Sequence, residues 1–324
     1  MNILTILLSM LFFNGPLQKG ASQSTSLKIL KEGSSCNDFW IAVHAIEYLA
    51  ELGYKKEAES YIENELRPFA EVPEKRIGLW RAKYKVATTE SSRVLCLNKI
   101  RDAYLDKEGQ DRIHAAETLA KLGYSFRKFN DSIVSKDLLG DGMLFSFSLW
   151  GNTIPASDTQ VPEFRPLFEQ LENDKVMNRK LAGYALGFFH QLPANCWDTL
   201  AHLALSEPQE TEAYSYLLGS AYALYDFRSN QRMDTFQKIR ERLLLLEYSF
   251  RKADRIEVCR ALAVHAKKED LLVLNRLLQV NNGILGNLDV QVAAAYALLK
   301  FDRQTDLNHK HSIRQSNKHI NDKI

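Results

Sequence analysis

Two histidine–carboxylate pairs stand out as residues able to do chemistry: His44 with Glu47, and His114 with Glu117, both spaced His-x-x-Glu. Three residues apart on a helix, the two side chains leave the same face and can share a proton or a metal ion. Metal-carrying helical bundles use the reverse order, Glu-x-x-His, and add glutamates from other helices. Each pair here supplies two protein ligands, which is short of the four of a structural metal site. Helices in a stack lie about 8–10 Å apart, so pairs two repeats apart are expected at roughly 20 Å, each acting alone. Two readings stay open: a surface ion pair, worth a few tenths of a kcal/mol, and a ligand site.

The ligand reading draws on the residues nearby. Trp40 shares a wheel face with His44 and Glu47, Arg76, Trp80 and Arg81 fall on a following helix, and Asp111 and Arg112 begin the helix of His114 and Glu117. Aromatic plates beside arginine, histidine and carboxylates suit a sugar or an acidic peptide. The alternative for both tryptophans is packing between helices. His114, in the first turn of its helix, is expected as a buried partner between helices, and His44, one turn after a tryptophan, nearer to a groove. There is no glycine-rich phosphate loop, no Gly-x-Ser-x-Gly, no His-Glu-x-x-His and no zinc-like Cys/His spacing. No carboxylate pair is marked by spacing as a glycosidase pair, and no cofactor or metal is called for. Tyr214, Tyr216, Tyr222 and Tyr225 read as interhelix packing.

The elements that must position these residues announce themselves by repetition. HAIEYLAELGY, from His44 to Tyr54, returns as HAAETLAKLGY, from His114 to Tyr124, with eight of eleven positions identical. Leu79-Trp80 and Leu149-Trp150 keep the same offset. Asp111-Arg112-Ile113 is echoed by Asp254-Arg255-Ile256, and Leu119-Ala120 by Leu262-Ala263, at close to twice that offset. A self-match at fixed spacing in helix-forming letters is the mark of a stacked helical array. The first helix starts at an Asn37-Asp38 cap and ends at Gly53, with Ile41, Ala42, Ala45, Ile46, Leu49 and Leu52 as its apolar stripe. An acidic helix spans 55–69, Pro73 opens a third, and 91–106 and 111–122 supply two more. Helices resume from 130 to 150 and from 166 onward to Phe301. The stretch 152–163, dense in turn residues, is the one candidate boundary or functional loop. These spacings predict an all-α chain: an α-solenoid of about twelve helices in antiparallel pairs over 37–301, between a polar lead-in (23–36) and a mobile polar tail (302–324).

Composition bounds the function. Apolar residues at 45% and charged residues at 25% are those of a globular protein, and 42 basic against 40 acidic side chains leave a net charge of +2. Such a balance provides no field for nucleic acid. Ile3 to Phe13 is a single short apolar run, too short for a hydrocarbon core that takes roughly 20 residues. With Gly20 and Ser22 before a cleavage at Gln23, residues 1–22 read as a secretory signal, and an uncleaved anchor or apolar helix is the other reading. The expectation is an exported chain, periplasmic or extracellular, with no transmembrane segment once mature. Cys36, Cys96, Cys196 and Cys259 are widely spread along the chain, too far apart for bridges in an array that touches only near neighbours, so four free thiols are expected.

Asp followed by alternating small and aliphatic residues, as in DRIHAAETLAKLG and DVQVAAAYALLKF, resembles the HEAT-like repeats of the phycobilisome-lyase type over roughly 37–301. That resemblance implies a right-handed α-solenoid with a scaffold or binding role, and it assigns no catalytic residue. RIGLWR followed by DRIHAAETLAKLG is similar to helical-repeat regions associated with bacterial sodium–solute symporters, which points to the cell envelope. Two functions follow as expectations: a non-enzymatic exported scaffold docking a protein or envelope component, with a glycan as a further ligand, and, against it, a saccharide-active enzyme using the His/Glu face.

Overall fold

The computed structural model describes residues 19–128, 142–157, 159–228, 232–279 and 288–321. Among these the chain is all-α, with 15 α-helices and no strand. In chain order they are α1 (Lys19–Ser34), α2 (Phe39–Glu51), α3 (Lys55–Tyr61), α4 (Lys75–Val86), α5 (Glu90–Leu105), α6 (Arg112–Lys121), α7 (Gly142–Thr153), α8 (Arg165–Leu171), α9 (Val176–Leu186), α10 (Ala194–Ser206), α11 (Ala213–Ala223), α12 (Met233–Leu245), α13 (Lys252–His265), α14 (Leu271–Gln279) and α15 (Leu288–Asn321).

The punctuation follows local chemistry. The Asp38 carboxylate accepts from the amides of Trp40 and Ile41 and starts α2. Gly53 and Gly123, at φ 79° and 74°, end α2 and α6 in the left-handed conformation that the repeated Leu-Gly-Tyr requires. The helix after Pro73 begins two residues late: the Lys75 amide bonds the Pro73 carbonyl at 2.8 Å across Glu74, whose φ is 68°, a γ-turn that reverses the chain before α4. The acidic helix of 55–69 is broken into α3, a π-turn at Ile62–Leu66 and a 3₁₀ turn at Arg67–Phe69.

Eight helices pack side by side in the order α2, α4, α6, α7, α9, α11, α13, α15, and α15 returns to α2. Their neighbours run parallel. Glu47 with Arg81 and Glu51 with Lys85 keep one offset between α2 and α4, and Ser220 with Arg260 and Tyr222 with His265 do much the same between α11 and α13. The other helices cover the outside: α3 on α2 and α4, α5 on α4 and α6, α8 on α7 and α9, α10 and α12 on α11, and α14 on α15. The buried apolar side chains fill the interface between these layers, among them Ile46, Leu49, Ile62, Leu119, Leu217, Leu262 and Leu298.

Two expectations for the chain ends are corrected. The polar lead-in belongs to α1, which packs on both α2 and α15 and buries Leu30 fully. A Cβ on Gly33 would fall 2.5 Å from Val292 Cγ2, so this position keeps α1 and α15 in close contact. The polar segment after Asp302 continues α15 as far as Asn321. The signal-like run Ile3–Phe13 and the first part of the helix expected from 130 to 150 lie outside the described residues. Because first and last helices meet, repeats do not touch only their sequence neighbours: the inner helices form a closed circuit. No helix among the described residues is long and apolar enough to cross a membrane.

Candidate functional site

Each inner helix has two working faces. On α2 the apolar face, Ala42, Ala45, Ile46 and Leu49, is buried against the outer layer. Trp40, His44 and Glu47 occupy the opposite face, half-buried within the closed circuit, and Glu51 at the end of that face is exposed. The expected surface ion pairs are therefore replaced by interior ones. Glu47 bonds Arg81 Nε of α4, and Arg81 is 5% exposed. Glu117 pairs with Lys121 Nζ at 2.8 Å and accepts from the Tyr184 hydroxyl of α9 at 2.7 Å. Neither histidine takes its own helix's glutamate as partner.

The two repeats meet through one ring pair. The rings of Trp40 and His114 stack with centroids 5.4 Å apart and planes 27° from parallel. Gly78 lets α4 lie close against α2, since a Cβ there would stand 3.0 Å from the Phe39 ring. The interior thus gathers six of the candidates: Trp40, His44, Glu47, Arg81, His114 and Glu117.

The other four serve elsewhere. Arg76 Nε bonds the fully buried Asp111 at 2.5 Å and ties α4 to the start of α6. Arg112 donates to the Tyr104 carbonyl at 2.9 Å and lies over the Tyr104 ring. Trp80 packs against the core under Lys83, whose ammonium also reaches Glu63 at 3.2 Å.

Electrostatics fix the protonation of the interior. Burial pushes the His44 imidazole down, the Arg81 charge adds to this, and its pKa falls to about 4, so the ring is neutral at pH 7. Burial pushes the Glu47 carboxyl up, but Arg81 outweighs it and leaves the pKa below the ordinary range. Burial also opposes ionisation of Glu117, and Lys121, Tyr184 and Arg81 together reverse that and hold its pKa at about 2. Lys121 is lowered by burial despite Glu117. Glu257 is the exception: burial raises it, and Arg260, bonded at 2.6 Å, only partly offsets the shift.

Several of these residues carry no flag in the sequence: Lys121, Tyr184, Glu257 and Arg260. One signal for Lys121 was present. It is the residue that replaces Glu51 in the second copy of the repeat, and a cation four residues after Glu117 can pair with it. In the first copy Glu51 instead takes Lys85 at 2.6 Å and the Tyr296 hydroxyl at 2.6 Å. The four cysteines are all free. Among the described residues no group of three or more His, Cys, Asp or Glu is arranged to hold a metal ion.

No protein-family model matches this chain. No curated protein matches it either.

Proposed function

We propose that the protein is a non-enzymatic, exported binding scaffold that docks a protein of the cell envelope on the outer edge formed by α12 and α14. The observation carrying this reading is a set of large apolar side chains left in solvent on that edge: Leu245, Tyr248, Phe250 and Leu272, 60–83% exposed. Glu247, between Leu245 and Tyr248, holds Arg276 of α14 through two bonds, at 2.6 and 2.8 Å. Leu272 lies one turn before Arg276 on the same face of α14, which brings the four to one edge. Clustered exposed apolar side chains with a polar surround mark association surfaces, whereas scattered ones need no explanation. Aromatic residues in such a cluster provide the usual anchors.

The rival reading, hydrolysis of a glycan, needs a protonated carboxyl to meet the leaving oxygen opposite an ionised one. Glu47 and Glu117, the carboxyls of the repeated motif, are both held ionised by cations of neighbouring residues. Neither of these two carries the proton, and Glu257, whose carboxyl pKa is raised by burial, is the interior carboxyl left to serve as the acid of the rival reading. Export rests on the sequence of residues 1–22.

A photoreactive amino acid at position 248 or 250, in cells of the native host, tests the reading. The expected result is cross-linking to one envelope protein, lost on replacing Leu272 and Leu245 by Ser. Retention of the chain in the cytosol with Met1 intact would remove the envelope from the proposal. Turnover of a glycan by the purified chain would replace it with the rival.

A further inference from the structure

Between the start of α10, the end of α11 and the start of α12 lies a cavity of about 160 Å³. Four of the residues lining it, Leu192, Trp197, Leu224 and Tyr225, are buried. Neighbours fix both rings. The Trp197 indole donates to the Ala221 carbonyl at 2.8 Å. Tyr225 is stacked on Phe236 and met edge-on by Phe227, with centroids 4.3 and 4.8 Å away. Trp197 and Tyr225 themselves stand 5.1 Å apart with planes at 59°. Walls held in this way keep their shape without a ligand, so little ordering opposes binding.

Size and charge decide what fits. An apolar cavity of about 150 Å³ takes one benzene ring, so this one has room for a single ring and little more. Aromatic walls suit such a ring, which packs on them edge to face or offset. Asp226 and Arg232 line the cavity as well. Asp226 is held by Arg228 at 2.9 Å, and Arg232 by Asp198. Two carboxylates against two guanidinium groups leave no net charge. An ion entering among the apolar walls would lose water with no counter-charge to spare. A hydroxyl escapes that penalty, because it donates to a carboxylate and accepts from a guanidinium. Arg232 also holds φ 58°, a left-handed conformation costly for a non-glycine residue, and such strain concentrates at ligand sites.

We propose that the cavity between α10, α11 and α12 binds a single neutral aromatic ring carrying a hydroxyl, a ligand of the phenol class. Arg232 stands at the start of α12 and Leu245 at its end, about 20 Å apart along the helix, so cavity and apolar edge are separate and either proposal stands without the other. The purified full-length chain, titrated with p-cresol and N-acetyltyrosinamide under saturation-transfer NMR, tests it, with benzoate, benzylamine and cyclohexanol as controls. The expected result is saturable millimolar binding of a phenol, several-fold tighter than of any control. Tighter binding of p-cresol supports a free phenol, and tighter binding of N-acetyltyrosinamide a tyrosine of a peptide. Ala194 lines the cavity and is exposed in the first turn of α10, so Ala194→Phe fills space there without disturbing the core and should weaken binding by about tenfold or more. Gln191→Trp, at a second exposed lining position, should do the same and decides the matter if Ala194→Phe does not fold. Absence of saturable binding by both phenols overturns the proposal. So does unchanged binding in a folded filled variant, or a control that binds as tightly as the phenols.

Discussion

Tyr48 and Tyr296 stack ring on ring, centroids 4.1 Å apart and planes 11° from parallel, at the seam where the end of the chain meets its beginning. The Tyr296 hydroxyl donates to Glu51 at 2.6 Å, from the far end of the sequence. Replacing Tyr296 by Phe keeps the stack and deletes the bond, which should lower stability by about 1 kcal/mol. Tyr296→Ala deletes both and should lower it by about 3–5 kcal/mol. Urea unfolding checks the pair, and a Phe variant as unstable as the Ala variant would assign the seam to the hydroxyl alone.

Acid should weaken the fold in two stages. His44 has its pKa lowered from 6.5 to about 4, so the unfolded chain binds its proton first: this stability is complete above pH 6.5 and is lost as pH falls towards 4. Glu117, lowered from 4.5 to about 2, contributes stability present above pH 4.5 and lost towards pH 2. Each stage is on the order of 3 kcal/mol by linkage. Melts recorded across pH should show His44→Gln flattening the upper stage and Glu117→Gln the lower one.

Breaking the Glu47–Arg81 pair from one side should cost more than removing both partners. Arg81→Met strands a buried carboxylate and is expected to destabilise by about 3–5 kcal/mol, while Arg81→Met with Glu47→Leu should recover much of that loss. A double-mutant cycle measures the coupling, and additive losses would mean that the two groups act independently.

Crowding at the α1–α15 contact should be reversible by design. Gly33→Ala places a methyl against Val292 and is expected to destabilise by about 1–3 kcal/mol. Val292→Ala in the same chain makes room, and thermal melts should show the double variant above Gly33→Ala.

The thiols should separate by exposure. Cys36 and Cys196 are half-buried, and Cys96 and Cys259 buried. In the native protein two equivalents should react with a thiol reagent well before the others, and in denaturant all four without reduction.

Local order was legible from sequence because it depends on local chemistry. The Asp38 cap, the Gly53 and Gly123 stops and the apolar stripe of α2 need nothing beyond their own helix. The all-α class followed from the same signals. What escaped was set by contacts far apart in the chain. Nothing local marks Lys19–Ser34 as a helix whose Leu30 and Gly33 pack on residues near the other end. Likewise Trp40, His44 and Glu47 show a polar face, and a polar face reads as solvated until the partners of Glu47 and Glu117 are known. Arg81 and Tyr184 look ordinary in sequence, and they acquire meaning only when α4 and α9 are placed around the same interior.

The seam between α1, α2 and α15 has a consequence for how the molecule is made. Its contacts join residues from opposite ends of the chain, so their loop-closure entropy must be met before any of them contributes. While the ribosome still holds the last helix, α1 and α2 lack the surface that covers them. The N-terminal helices can form pairs during synthesis, but the seam cannot close until α15 has left the ribosome. Until then α1 and α2 stay loosely held, and the inner circuit is open at this one seam.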